Sequence, residues 1–452
     1  MAQFNQWLTR TLWNQTNEAS KSAASREAQH ILAAKARFDG AEKRLSVRVG
    51  TDGEAIYLDL MDDSGTVVKV TAQGWSLITD SPVHFRKPKG QLALPVPEHN
   101  GDVEALRPFL NAASDDDFRL IVGWCLMALN PFGGPYPVLV LQGVQGSAKS
   151  TTARILRLLL DPHQAPLRGR PQDSRDLMIS AHNSWVLAYD NRSGLSAGES
   201  DTIARLATGI GSTSRKLYTD TDEVVIQACR PAILNGIAAI ATRPDLLSRS
   251  IVVHLPEIRD RQRKAESSLY DAFEEARPTI LGGLLDALSA SLGCVASVQF
   301  EKAPRMADFA RWVVAAESTL GWPEESFLKA YQANQKDAID STLETDPVAQ
   351  AVISLAGDRG EWEGTPTELF AVLNNRLAQR RQRTRFWPDN VMTLSNRLLR
   401  IEPALRSLGV IVEHNRAGHS GKRLITIRAE AFDEEVLLDD DAGVTEDSPS
   451  FS

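Results

Sequence analysis

Apolar residues at Phe4, Trp7, Leu8 and Leu12 recur at helical spacing, and residues 18–38 continue as an Ala-rich helix stopped by Gly40. The period then shortens. Leu45–Val49, Ala55–Leu60, Val67–Thr71, Trp75–Ile78 and Val83–Arg86 read as short strands, separated by turn chemistry at residues 50–53, 62–65 and 73–74. Residues 1–102 are therefore expected to form an N-terminal helix and a small β-rich domain. Helices return from about residue 103, up to a Gly/Pro break at Asn130–Pro135. The unbroken apolar run Val138–Leu141 suits a strand covered on both faces. Further buried strands are expected at Trp185–Tyr189, Ala232–Leu234 and Ile251–Leu255, with helical segments between them. That alternation predicts a mostly parallel α/β sheet over residues 103–257. Residues 258–345 read as a helical domain, with room for one short strand at Val295–Phe300, and residues 346–430 as a last compact unit.

Composition sharpens this picture. The chain has 452 residues, of which 42% are hydrophobic, enough for several cores. No apolar run is long enough to cross a bilayer, and residues 1–10 lack a secretion signal. Cys125, Cys229 and Cys294 lie far apart, which argues against a disulfide framework or a zinc site and for a reducing cytoplasm. The net charge of -8 comes from one place: residues 431–452 hold eight acids and no Lys or Arg. Residues 370–428, just before them, hold twelve Lys/Arg and three acids. That asymmetry fits a nucleic-acid surface followed by a solvated, disordered acidic tail, although an ordinary basic face would look the same.

The strongest local signal follows the first buried strand. Gly143, Val144, Gln145, Gly146, Ser147, Ala148, Lys149, Ser150 and Thr151 link that strand to a helix, the context a phosphate-binding loop requires. In such a loop backbone N–H groups and the helix N-terminus cradle phosphates. Lys149 can reach the β- and γ-phosphates of ATP, and the Ser150 hydroxyl can ligate Mg2+. Ala148 departs from the usual Gly before the Lys. Trp185–Asn191 is an apolar strand ending in Asp190, 41 residues after Lys149, which is the expected metal-side acid; an Asp closing a strand is also an ordinary turn residue. Asn191 stands where a second carboxylate often polarises water, and an amide orients water but is a poor base. Asn235 ends the third strand, suited to a γ-phosphate or water contact, or simply to an Asn-Gly turn. Arg243 and Arg249 precede the fourth strand. Either can stabilise phosphoryl charge at a neighbouring subunit or pair with Asp245 on the surface. Residues 206–226 read as a β-hairpin with Arg215 and Lys216 available for nucleic-acid phosphates.

In order, Lys149-Ser150, Asp190, Thr208-Gly209, Arg215–Tyr218, Asn235 and Arg249 resemble the motif set of superfamily-3 helicases of the AAA+ class, of poxvirus and phage replication type. The chain is also similar to ATP-binding proteins of bacterial integrative elements and prophages. The resemblance covers residues 115–257 closely and the rest loosely. It implies an AAA+ P-loop core, ATP and Mg2+ as cofactors, a homo-hexameric ring and single-stranded or forked DNA as partner. Ala148 and Asn191 bear on the hydrolysis rate that it implies.

The C-terminal residues point the same way. Helices at Pro366–Leu373 and Val391–Arg400 precede a hairpin, Val410–Glu413 and Arg423–Ile427, which is the pattern of a winged helix. Arg397, Arg400, Arg416, Lys422 and Arg423 would line its DNA face. The whole reads as an α/β protein: an AAA+ P-loop NTPase core with an N-terminal β-rich domain, a helical segment and a C-terminal winged helix. The expected activity is ATP-dependent unwinding of DNA in replication of a phage or mobile element, with any primase a separate chain and no membrane association. An ATP-switched initiator with little turnover and an AAA+ helicase loader are the alternatives.

Overall fold

The computed structural model describes residues 2–18, 22–169, 174–192, 194–215, 223–236, 243–259, 261, 263, 265–379, 387–417 and 422–429. Two helices, α1 (Ala2–Thr16) and α2 (Ser22–Phe38), lead into strands β1 (Leu45–Ser46), β2 (Val49–Thr51), β3 (Ile56–Asp59), β4 (Val67–Thr71), β5 (Gly74–Ile78) and β6 (His84–Phe85). β2 to β5 form an antiparallel meander in sequence order, and β1 pairs with β6. The meander docks on the helical segment that follows the parallel sheet. Trp75 donates its indole N–H to Asp286 at 2.8 Å, and Ser289 bonds the Thr71 carbonyl at 2.6 Å.

A 3-10 helix (Val103–Phe109) opens the next region, followed by α3 (Asp115–Ala128), β7 (Val138–Gln142), α4 (Lys149–Leu160), α5 (Ser174–Asn183), β8 (Leu187–Arg192) and α6 (Ala197–Thr208). Then come β9 (Ile210–Arg215), β10 (Glu223–Ala228), β11 (Ala232–Gly236), α7 (Pro244–Leu247) and β12 (Ser250–His254). Local signals set several boundaries. Ser114 caps α3 by accepting from the Asp117 N–H, with three aspartates in the first turn facing the positive helix end. Ser196 and Glu199 close a reciprocal capping box on α6.

β12, β7, β11 and β8, in that order, form one all-parallel sheet. Its apolar runs are explained by burial on both faces: Leu139, Leu141, Ile233 and Val253 enter one core, Val138, Val140, Leu234 and Val252 the other. The first of these cores is continuous from the β2–β5 meander through α3 and α4 into the helices that follow. β9 and β10 pair antiparallel, Arg215 opposite Glu223, as a separate hairpin.

Helices α8 (Glu266–Cys294), α9 (Ala307–Val314) and α10 (Ser326–Thr345) follow. The strand expected at Val295–Phe300 does not form. Residues 295–297 turn out of α8 and 298–300 are irregular, with Val295 and Phe300 packed against the main core instead. The chain ends in α11 (Pro347–Arg359), β13 (Glu361–Gly364), α12 (Pro366–Gln379), α13 (Val391–Ser407), β14 (Val410–Ala417) and β15 (Lys422–Ala429). Its sheet has the order β13-β15-β14, antiparallel throughout, and a core of its own that includes Trp362, Leu369, Leu398 and Ile427. β13 was not anticipated from the sequence, and α13 runs through Pro403 instead of ending near Arg400. No helix among the described residues is long and apolar enough to cross a membrane.

Candidate functional site

The sheet order decides where chemistry can occur. β11 lies between β7 and β8, so the strand that carries Asp190 is two spacings from the strand feeding the Gly143–Thr151 loop, about 9.6 Å. Open parallel sheets bind ligands in a crevice at the carboxyl ends of their strands, where the Gly143–Thr151 loop and Asp190 both lie. Asn235 is the penultimate residue of the strand between them and is buried.

The loop's backbone is fixed for close approach. Gly146 has φ 83°, and Ala148 occupies the left-handed region at φ 60°, ψ 25°. At Gly143 an added Cβ would stand 2.5 Å from the Leu255 carbonyl and 2.6 Å from Ser147 Oγ, so no larger residue fits. Asn111 braces the loop from below, its amide donating to the Ser147 carbonyl at 3.1 Å and the Pro256 carbonyl at 2.7 Å. No side chain caps the start of α4, so its first-turn N–H groups are left for the crevice.

Lys149 begins α4 and donates from Nζ to the Gly143 and Val144 carbonyls at 2.8 and 2.6 Å, and to Ser147 Oγ at 3.2 Å. Burial lowers its pKa from the usual value, and the nearby Asp190 charge opposes that shift. The next residue crosses the crevice: Ser150 Oγ donates to Asp190 Oδ1 at 2.9 Å. Two oxygen ligands of the kind Mg2+ prefers thus meet beside an ammonium and a glycine-built cradle. These residues fit a nucleoside triphosphate and its magnesium: the loop would hold the phosphates, Ser150 and Asp190 the metal.

Other expected residues fall differently. Arg249 is ion-paired with Asp245 of its own chain, one helical turn earlier, and Arg243 with Asp201 at 2.9 Å. Arg397, expected on a DNA face, is turned toward Asp346, with Nε and Nη2 both 3.0 Å from the carboxylate that also caps α11. Arg400, Arg416 and Arg423 are exposed, with no carboxylate in ion-pair range among the described residues. Arg416 and Arg423 stand directly opposite in the β14–β15 register. Like charges so placed are destabilising unless an anion lies between them. Lys216 and the acidic tail 431–452 lie outside the described residues, and of Asn191, Arg215 and Lys422 only the backbone is described.

Sequence reasoning missed Arg263, whose guanidinium stands 3.2 Å from the Cβ position of Gly146 and so flanks the loop. It also missed a fully buried ion cluster, Arg48, Arg157 and Asp161, at the far end of α4. The one local hint was an Asp placed just after an apolar helix.

The sequence model of a family described as "Actinomycete integrative conjugative element replication protein" matches residues 103–341, more than half of the chain. The chain belongs to this family. A second model, described as the AICE RepA C-terminal domain, matches residues 348–437. The protein is thus a replication protein of a mobile element, and the match covers the Gly143–Thr151 loop, Asp190 and Asn235 alike. No curated protein matches the chain. Among solved structures, the apo C-terminal region of NrS-1 is similar at TM-score 0.36 and 10% identity, over 81% of this chain and 95% of that one. JCV helicase, bound to a thiazolopyridinyl phenoxyphenyl acetamide, is similar at TM-score 0.25 and 13% identity, over 47% of this chain and 67% of that one.

Proposed function

We propose that this replication protein is an ATP-driven DNA helicase or translocase. The observation that carries the reading is the Ser150–Asp190 contact at the carboxyl edge of the parallel sheet, with Lys149 beside it. Lys149 and the first-turn N–H groups of α4 bind and orient the triphosphate. Ser150 and Asp190 would hold Mg2+, which would supply positive charge to neutralise the phosphates. Asn235 and Asn191 orient the attacking water. Arg249 supplies charge to a neighbouring subunit's nucleotide in a hexameric ring, exchanging its Asp245 partner for phosphate.

The C-terminal unit is read as a winged-helix DNA-binding domain. Its support is the element order helix–strand–helix–helix–strand–strand, with Arg416 and Arg423 facing each other along the final hairpin. A second reading, an ATP-switched initiator with little turnover, is favoured by the amide at position 191 and by the intrachain partner of Arg249.

Unwinding of a forked duplex with Mg2+ and ATP tests the choice. The wild-type chain should separate the strands. Lys149→Ala should stay folded, lose unwinding and bind ATP weaker by about tenfold or more. Unwinding at the wild-type rate by Lys149→Ala would overturn the reading, and ATP binding without any unwinding by the wild type would favour the switch.

A further inference from the structure

Arg48, Arg157 and Asp161 are essentially excluded from solvent, with relative exposures of 0%, 1% and 0%. The cluster carries two cations on one carboxylate. Burying ions in this way is expensive, so a buried ion pair is weak evidence of a stabilising role. Its connections are specific. Arg48 comes from the bend between β1 and β2 and donates from Nε to Asp161 Oδ1 at 3.2 Å. Its remaining nitrogens hold the Asp59 and Leu92 carbonyls at 2.8 and 2.6 Å. Arg48 is itself held at φ 62°, a backbone conformation that long side chains rarely adopt and that persists only where the surroundings enforce it. Gln91, on the strap leaving the N-terminal unit, adds a bond to the same Oδ1 at 3.0 Å.

Asp161 is where this network meets the nucleotide site. It is the C-terminal cap residue of α4, the helix that begins with Lys149 and Ser150. Its other oxygen, Oδ2, takes Arg157 of that helix and the backbone N–H groups of Trp185 at 2.9 Å and Val186 at 3.1 Å. Those two residues lead directly into β8, the strand that delivers Asp190. One carboxylate therefore pins the rear ends of both elements whose front ends meet as Ser150 and Asp190.

α4 is about 18 Å long by its helical rise, so a tilt of about 5° at the pin moves its front end by roughly 1.5 Å. That would break a 2.9 Å contact. We infer that Arg48 and Asp161 are positioning residues through which the N-terminal β unit sets the Ser150–Asp190 spacing, and with it turnover at the nucleotide site. The inference rests on the reading of that site as an ATPase.

Two measurements on the full chain test it together. In hydrogen–deuterium exchange, Arg48→Met should lose protection in the first turn of α4 and along β8, and not only in residues 45–100 around the substitution. In steady-state hydrolysis, Arg48→Met should lower kcat by about tenfold while KM for ATP changes by less than about threefold, with Arg48→Lys intermediate. A role confined to folding would lower the melting temperature and leave kcat per folded molecule unchanged. Wild-type protection at α4 and β8, or a kcat within about twofold of wild type, overturns the inference. If Arg48→Met does not fold, Gln91→Ala removes a single bond to the same carboxylate and should move both readouts in the same direction; no movement in either overturns it. Absence of ATP turnover in the wild type would refute the ATPase reading instead, and the exchange pattern would still decide whether the pin reaches α4 and β8.

Discussion

Ala148 is the residue at which the loop departs from its usual composition, and its geometry says what the departure costs. A left-handed Ala is strained by roughly 1–2 kcal/mol, whereas Gly there would lose about 0.5–1 kcal/mol more chain entropy on folding. Ala148→Gly should therefore raise stability by about 0.5–1 kcal/mol in denaturant unfolding, with ATP affinity within about threefold of wild type. A destabilised Ala148→Gly protein would contradict the strain argument. That Lys149, Ser150 and Asp190 come together is foreshadowed in the sequence, because a strand–loop–helix turn and an acid late in an apolar strand are local patterns. The partners of the arginines are not. Arg397 meets Asp346 across 51 residues and Arg48 meets Asp161 across 113, distances over which spacing carries no signal.

At the scale of elements, α4 and β8 depend on a buried charge. Burial would push the Asp161 carboxyl up, but Arg157, Arg48 and the Val186 N–H together hold it well below the usual carboxylate range. The unfolded chain then binds the proton more readily than the folded one. Its stabilising contribution is complete above the unfolded pKa of about 3.9 and is lost as pH falls toward the folded value. Asp161→Asn should be less stable at neutral pH by about 3–5 kcal/mol, since two guanidiniums lose their counter-charge, and should show a flatter stability curve below pH of about 4. Acid titration followed by circular dichroism checks this, and an unchanged acid slope would contradict it. Strand positions were readable from apolar runs; strand order was not, because periodicity is silent on which strand lies between β7 and β8. The helix break expected near Pro403 failed for a tertiary reason. Leu398, Ile401 and Leu405 on either side are buried in one core, and that packing carries α13 past the missing N–H.

For the whole molecule, the charge asymmetry seen in the sequence survives only in part. Arg397 is committed to Asp346, whereas Arg400, Arg416 and Arg423 are exposed. If these three contact phosphates, changing all of them to Gln should weaken DNA binding and flatten its salt dependence by about 0.9 per residue for duplex, or about 0.7 for single strands. Arg397→Gln should leave that slope unchanged and lower the stability of the C-terminal unit. A triple variant with the wild-type salt slope would direct these arginines to some partner other than nucleic acid. The continuous core from the β2–β5 meander through α4 into α8 makes the N-terminal unit part of the same body as the Ser150–Asp190 site. The central claim is that this body couples ATP turnover to DNA, and the most direct measurement is Mg2+-dependent ATP hydrolysis by the full chain with and without single-stranded DNA. DNA should raise the rate by about fivefold or more in the wild type, and Lys149→Ala and Asp190→Asn should both be inactive. Hydrolysis that ignores DNA, or that persists in either variant, would contradict the account.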